Sequence, residues 1–214
     1  MLKFFKDFHI QPVTGGVEPT PSPTPTIITG YNLIGGATDE DGIITVASGK
    51  YVTTNVNINF SEYDSWAIVS KIYFMSAQYN DNGFMGLLNA DNNIDCINSY
   101  IKNTGKVNYA ISSNGNDYNI GTLLMNSTVS KNTWFYVKLE FTGNSYILYY
   151  GTSLDNMVMD TAIASSTKVS NKSGVYVWGK GENASAGVVT SAKFDMNECQ
   201  IYLNGQLYWQ GIKN

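Results

Sequence analysis

The stretch Trp134-Phe135-Tyr136-Val137-Lys138-Leu139-Glu140-Phe141 decides the fold. In an extended chain, Phe135, Val137, Leu139 and Phe141 fall on one face, while Trp134, Tyr136, Lys138 and Glu140 fall on the other. That is the period-2 alternation of a half-buried β-strand. Gly143-Asn144 then makes a tight turn into a second apolar run, Tyr146–Tyr150, so the two runs predict an antiparallel hairpin.

The same signature recurs outward from this hairpin. Upstream lie Asn32–Ile34, Gly42–Val46, Trp66–Phe74 (WAIVSKIYF), Phe84–Leu88, Ile94–Ile101 and Lys106–Ser112. Downstream lie Val175–Trp178, Ala192–Asp195, Cys199–Leu203 and, after the Asn204-Gly205 turn, Gln206–Trp209. The Asp-Gly end of Thr38-Asp39-Glu40-Asp41-Gly42 is a further hairpin signal. The composition agrees, with 15 Tyr, 9 Phe and 4 Trp available for a core and 20 Gly to punctuate it. Short strands spaced by roughly 8–14 residues, with no helical pattern long enough for a crossover, predict an all-β, two-sheet antiparallel sandwich and exclude a parallel α/β fold.

The front of the chain is built differently. Four of the five prolines lie in Pro19-Thr20-Pro21-Ser22-Pro23-Thr24-Pro25-Thr26. Each fixes φ and removes a backbone donor, so the run reads as an extended, semi-rigid spacer. The expected organisation is therefore an N-terminal docking or oligomerisation peptide over 1–16, a Pro/Thr linker over 17–27 and the sandwich over 28–214. In the head peptide Leu2, Phe4, Phe5, Phe8, Ile10 and Val13 form a dense apolar set, too short for a core of its own. It is expected to pack on a partner, either copies of itself or a groove in another protein, with Lys3, Lys6 and Asp7 facing water.

Charge and cysteine usage narrow the partners. A net charge of −4, from thirteen lysines and no arginine against 17 acidic residues, offers no basic stripe for phosphates and argues against nucleic acid. No segment approaches the roughly 20 apolar residues of a membrane span. The first residues lack the apolar core of a secretory signal, so a cleaved export peptide is not expected. Cys96 and Cys199 are expected as buried thiols; a bridge would require the fold to bring their Cα atoms within about 7 Å.

Taken in order, Asn132–Phe141, Gly143–Tyr150, Phe194–Ile201 and Asn204–Trp209 resemble the concanavalin A-like (laminin G-like) jelly-roll domains of bacteriophage structural proteins. Ile111-Ser112-Ser113-Asn114-Gly115 fits the hairpin that precedes the Trp strand in such domains. The resemblance spans about residues 28–210. It implies a jelly-roll sandwich carried as a virion appendage, such as a head fibre or a capsid or tail decoration. It further implies docking of residues 1–16 on a capsid or tail component, assembly in the host cytoplasm, a place on the virion surface and contact with host-surface carbohydrate. A homo-oligomer, with a trimer among the options, would add avidity to weak sites.

Enzymatic chemistry is not expected; the alternatives to a carbohydrate-binding appendage are a glycan-binding module or glycanase of bacterial origin and a purely structural spike without ligand. The single histidine, His9, lies in the head peptide, so no Ser-His-Asp or Cys-His arrangement can form in the body. Glycanases of this fold carry alternating carboxylates on one strand, which places acid and nucleophile about 5 Å apart. Here Asp39-Glu40-Asp41 is contiguous in a turn, and Glu140, Asp195 and Glu198 read as surface charge and turn or capping groups. No cofactor is called for. Calcium is the metal the sequence could serve, through Asp91, Asn93 and Asp95 with Asn92, although Asn and Asp are also ordinary turn residues. Sugar recognition needs an aromatic ring among amides and carboxylates. Tyr79 with Asn80, Tyr118 with Asn116 and Asp117, and Trp178 are the candidate platforms, while Trp66, Trp134 and Trp209 are read as structural.

Overall fold

The computed structural model describes residues 26–47, 49–77, 82–89, 94–101, 104–115, 117–180 and 190–213. Residues 1–25, and with them the head peptide and most of the linker, lie outside the described residues. Among the described residues the body is a two-sheet sandwich, with a 10-stranded sheet facing a 7-stranded one. Among the described residues, helical structure is confined to three-residue 3₁₀ turns.

The larger sheet runs in the order β1 (Ile28–Thr29), β17 (Gln206–Gln210), β16 (Gln200–Leu203), β6 (Trp66–Ala77), β11 (Trp134–Phe141), β12 (Ser145–Gly151) and β13 (Val158–Ala164). β6 is long enough to hold two partners along one edge. Ala67 to Val69 pair with β16, and Ile72 to Ala77 pair with β15 (Thr190–Asp195), which carries β4 (Ile43–Val46) and β3 (Thr38–Glu40) outward. The smaller sheet runs β10 (Gly121–Leu124), β9 (Val107–Ile111), β8 (Ile94–Ile101), β7 (Asn82–Asn89), β14 (Gly174–Trp178), β5 (Tyr51–Thr54), β2 (Tyr31–Ile34). The described pairings are antiparallel except β1 with β17. This is the jelly-roll type of sandwich that the concanavalin A-like resemblance implies.

The hairpins use the turn chemistry visible in the sequence. Asp41 and Gly42 sit at φ 54° and 86°, and Asn204 and Gly205 at 49° and 76°. Left-handed backbone at both central positions matches the twist of the flanking strands, which is why Asp-Gly and Asn-Gly occupy them.

The faces of WFYVKLEF separate as expected. Phe135, Val137, Leu139 and Phe141 are buried against the smaller sheet. Trp66 packs with Phe60, Phe141 and Tyr146 at centroid distances of 4.9, 6.0 and 6.0 Å. Trp178 also lies inside, fully buried and stacked on Trp209 at 5.2 Å. Its indole N–H donates to Ser70 Oγ across the sandwich at 2.8 Å, so a polar group deep in the core is satisfied by the opposite sheet. Cys96 and Cys199 are buried thiols with no disulfide between them, as expected. Burial pushes the Cys199 thiol up to about 12.

Candidate functional site

The outward face of the larger sheet is set by register. On β6 the inward residues are Ile68, Ser70, Ile72 and Phe74, which leaves Ala67, Val69, Lys71 and Tyr73 pointing away from the core. Ala67 pairs with Tyr202 on one side and Glu140 on the other; Val69 pairs with Gln200 and Lys138. Lys138 in turn pairs with Tyr149 of β12. Two short apolar side chains on the central strand are thus flanked by long ones on both neighbours. With strands about 4.8 Å apart, the flanking backbones stand about 10 Å from each other.

The result is a groove of about 700 Å³ with Ala67 and Val69 as its floor. Tyr202 and Gln200 form one wall, and Lys138, Glu140 and Tyr149 the other, with Leu154 and Met157 beyond them from the segment after β12. Ser65 and Gly205 lie at one end. Past Val69 on β6 comes Lys71, paired with Tyr136 across the ladder.

Two lysines of this face are paired with carboxylates. Lys138 Nζ lies 3.2 Å from Glu140 Oε2 and 4.0 Å above the centre of the Tyr149 ring. Burial, with the hydrogen bond and charge of Glu140, pushes the Tyr149 hydroxyl up to about 12, so it stays a neutral donor. Lys71 Nζ lies 2.9 Å from Asp195 Oδ2 and 3.8 Å from Glu198 Oε1, with the Trp134 and Tyr136 rings at 5.4 and 5.7 Å. Burial pulls Lys71 down, but the hydrogen bond and charge of Asp195, aided by Tyr136 and Glu198, outweigh it and hold the ammonium above its ordinary value. Across the groove the Tyr202 hydroxyl donates to Gln200 Oε1 at 2.7 Å.

An apolar floor between tyrosine walls, edged by an amide, a carboxylate and an ammonium, suits a ligand with one apolar face and a polyhydroxylated rim. Among the described residues no cluster of three or more His, Cys, Asp or Glu is placed to hold a metal. No helix among them is long and apolar enough to cross a membrane.

The sequence-predicted platforms lie elsewhere. Trp178 is a correction: with its ring packed on Tyr176 and Trp209 and its N–H spent on Ser70, it has no face to offer a sugar. Tyr118 is half-buried in the turn after β9 and accepts a hydrogen bond from Asn98 Nδ2 at 2.9 Å; Asp117 is exposed beside it. Neither lines the groove. Tyr79, Asn80, Asn116, Asp91 and Asn93 lie outside the described residues, and the side chain of Asp95 is likewise not described. Asp195, read as a turn or capping group, instead makes the ion pair with Lys71 and no side-chain cap. Glu140 pairs with Lys138 as read, but on the wall of a groove that the sequence reading passed over.

No known family profile matches the sequence, and no curated protein is similar to it. Similarity appears in structure. The binding domain of botulinum neurotoxin DC in complex with SialylT is 11% identical with a TM-score of 0.57, covering 83% of this chain and 42% of that one. A botulinum neurotoxin type C structure, from work on its entry into cells through two ganglioside molecules, is 11% identical with a TM-score of 0.57, covering 83% and 43%. The binding domain of botulinum neurotoxin serotype D is 13% identical with a TM-score of 0.54, covering 81% and 43%. The chain therefore spans less than half the length of these structures. At such low identity the likeness defines a class of fold, the two-sheet β-sandwich, and no more.

Proposed function

We propose that this chain is a non-catalytic glycan-binding sandwich whose site is the groove over Ala67 and Val69. In the setting that the sequence resemblance implies, it is a bacteriophage surface appendage, a head fibre or a capsid or tail decoration. It is anchored through residues 1–16 and held outward by the Pro/Thr segment. The observation that carries the binding reading is the groove's composition, an apolar floor with tyrosine, amide and paired charge on its walls. The toxin structures on the same fold, one with SialylT and one tied to gangliosides, support a glycan as ligand by analogy but not its charge. A non-catalytic role is supported by the pairing of Glu140 with Lys138 and of Asp195 and Glu198 with Lys71, which gives each carboxylate a structural partner. Weak single sites gain about 10²–10⁴ in avidity when several copies are displayed together, as an oligomeric appendage would display them.

Two experiments test the two halves separately. Fluorescent full-length protein, single and clustered, is added to bacterial cells and purified surface polysaccharides. Saturable binding that sugars compete away, and that Val69→Trp removes by filling the floor, is the expected outcome. Binding that survives Val69→Trp in a folded protein refutes the site. Deleting residues 1–16 is expected to abolish incorporation into particles while leaving the thermal transition of the sandwich unchanged; incorporation of the truncated chain refutes the anchor.

A further inference from the structure

Resting on the glycan-binding reading, we propose that the groove selects neutral sugars over acidic ones, with the Lys138–Glu140 pair reading two neighbouring hydroxyls of one ring. The charged residues lining the groove are Lys138 and Glu140, one of each sign, and the neighbouring Lys71 is held by Asp195 and Glu198. Both ammonium groups already have carboxylate partners, and Lys138 is further fixed over the Tyr149 ring. A sugar carboxylate can only accept hydrogen bonds. To reach Lys138 it must sit beside Glu140, and that like-charge contact opposes binding. A hydroxyl both donates and accepts. Two adjacent hydroxyls can therefore take a hydrogen bond from Lys138 and give one to Glu140 while the ion pair, 3.2 Å across, stays intact. The apolar floor receives the ring's C–H face alongside. Sialylated and uronic-acid glycans are excluded by the same pair that admits neutral hexoses or N-acetylhexosamines.

The test is titration calorimetry of the full chain against neutral oligosaccharides and their sialylated and uronic-acid counterparts. Neutral ligands are expected to bind at least about tenfold tighter, a difference of about 1.4 kcal/mol. Their affinity is expected to change little between about 50 and about 500 mM salt, since no net charge is neutralised. Glu140→Gln keeps the side chain's size and releases Lys138, so it is expected to bring acidic ligands level with neutral ones or ahead of them. Equal or tighter binding of acidic glycans by the unaltered protein overturns the selectivity, and the groove reading survives if Val69→Trp and the wall variant Tyr202→Ala still remove binding. Binding that neither variant touches, or no binding by any glycan in the panel, defeats the groove reading and the selectivity with it.

Discussion

Replacing Ser70 by alanine removes one hydroxyl from the centre of the sandwich, and the structure says what that costs. Ser70 and Trp178 are both fully buried on opposite sheets, joined by a 2.8 Å hydrogen bond from the indole N–H. Without the hydroxyl the N–H is left unsatisfied in the core, a penalty of about 1–3 kcal/mol. For a domain of this size each kcal/mol lowers Tm by about 2–4 °C, so Ser70→Ala should melt about 2–12 °C below the parent. Trp178→Phe orphans the serine and opens space beside Tyr176 and Trp209, for a loss of about 2–4 kcal/mol. In the double variant the two orphaned groups disappear together, so its loss should fall short of the sum by about 0.5–3 kcal/mol. Urea unfolding of the four proteins measures that coupling. Additive losses, or a Trp178→Phe protein within about 0.5 kcal/mol of the parent that has lost glycan binding, would refute the placement of Trp178 as a core residue.

Four further outcomes follow from other parts of the fold. Cys96 and Cys199 should resist a thiol reagent at about pH 8 in the native protein and react fully in denaturant, since both are buried and Cys199 titrates near 12. Cys199 and Tyr149 titrate higher folded than unfolded, from ordinary values of 9.0 and 10.0, so their contribution is full below those values and is lost as pH rises toward about 12; chemical denaturation should show stability declining across that alkaline window. Asp39 shows the opposite sign. Burial raises its carboxyl, but hydrogen bonds from Lys213, Tyr31 and the Gly42 N–H outweigh it and hold it below 3.8, so its contribution is present above that value and lost as pH falls; Lys213→Met and Tyr31→Phe should each flatten the acid limb of the stability profile. Gly174→Ala would set a Cβ 2.2 Å from the Leu88 carbonyl oxygen on the neighbouring strand and should destabilise by about 1–3 kcal/mol or more, read by thermal melting.

The strands that alternate cleanly were legible, because a single buried face leaves its period in the residues. Trp134–Phe141 coincides with the observed strand residue for residue; Ile94–Ile101 does too, but it is buried on both faces at Cys96–Ser99 and was marked by its apolar content rather than by a period. β13 was not: Val158 and Met159 are 63% and 64% exposed on the sheet edge, so its apolar residues do not mark a core face. β5 and β10 were missed as well, whereas β4 and β16, equally short, were marked by the Asp-Gly and Asn-Gly turns beside them. The groove was hidden for a different reason. Its floor is two residues of WAIVSKIYF and its walls belong to β11, β12 and β16, and which residues stand opposite one another is fixed by register between strands distant in sequence. The available signal was the polar face of WFYVKLEF, where Lys138 and Glu140 share a side with Tyr136. Trp178 resembles an exposed platform in sequence because Gly179 and Lys180 follow it.

The long reach of β6 has a consequence for the order in which the chain can assemble. Its free edge, exposed once residues 66–77 exist, is completed only by β15 and β16, more than a hundred residues later. β1 waits longer still, since Ile28 pairs with Trp209 and the Gly30 carbonyl receives the Trp209 indole N–H. Local hairpins such as β11–β12 can form as they leave the ribosome, but the larger sheet cannot close until β17 has been made. Until then one flank of its central strand is an open template for other chains. High-level synthesis should therefore be limited by association of unfinished chains, and slowed translation or lower temperature should raise the soluble yield.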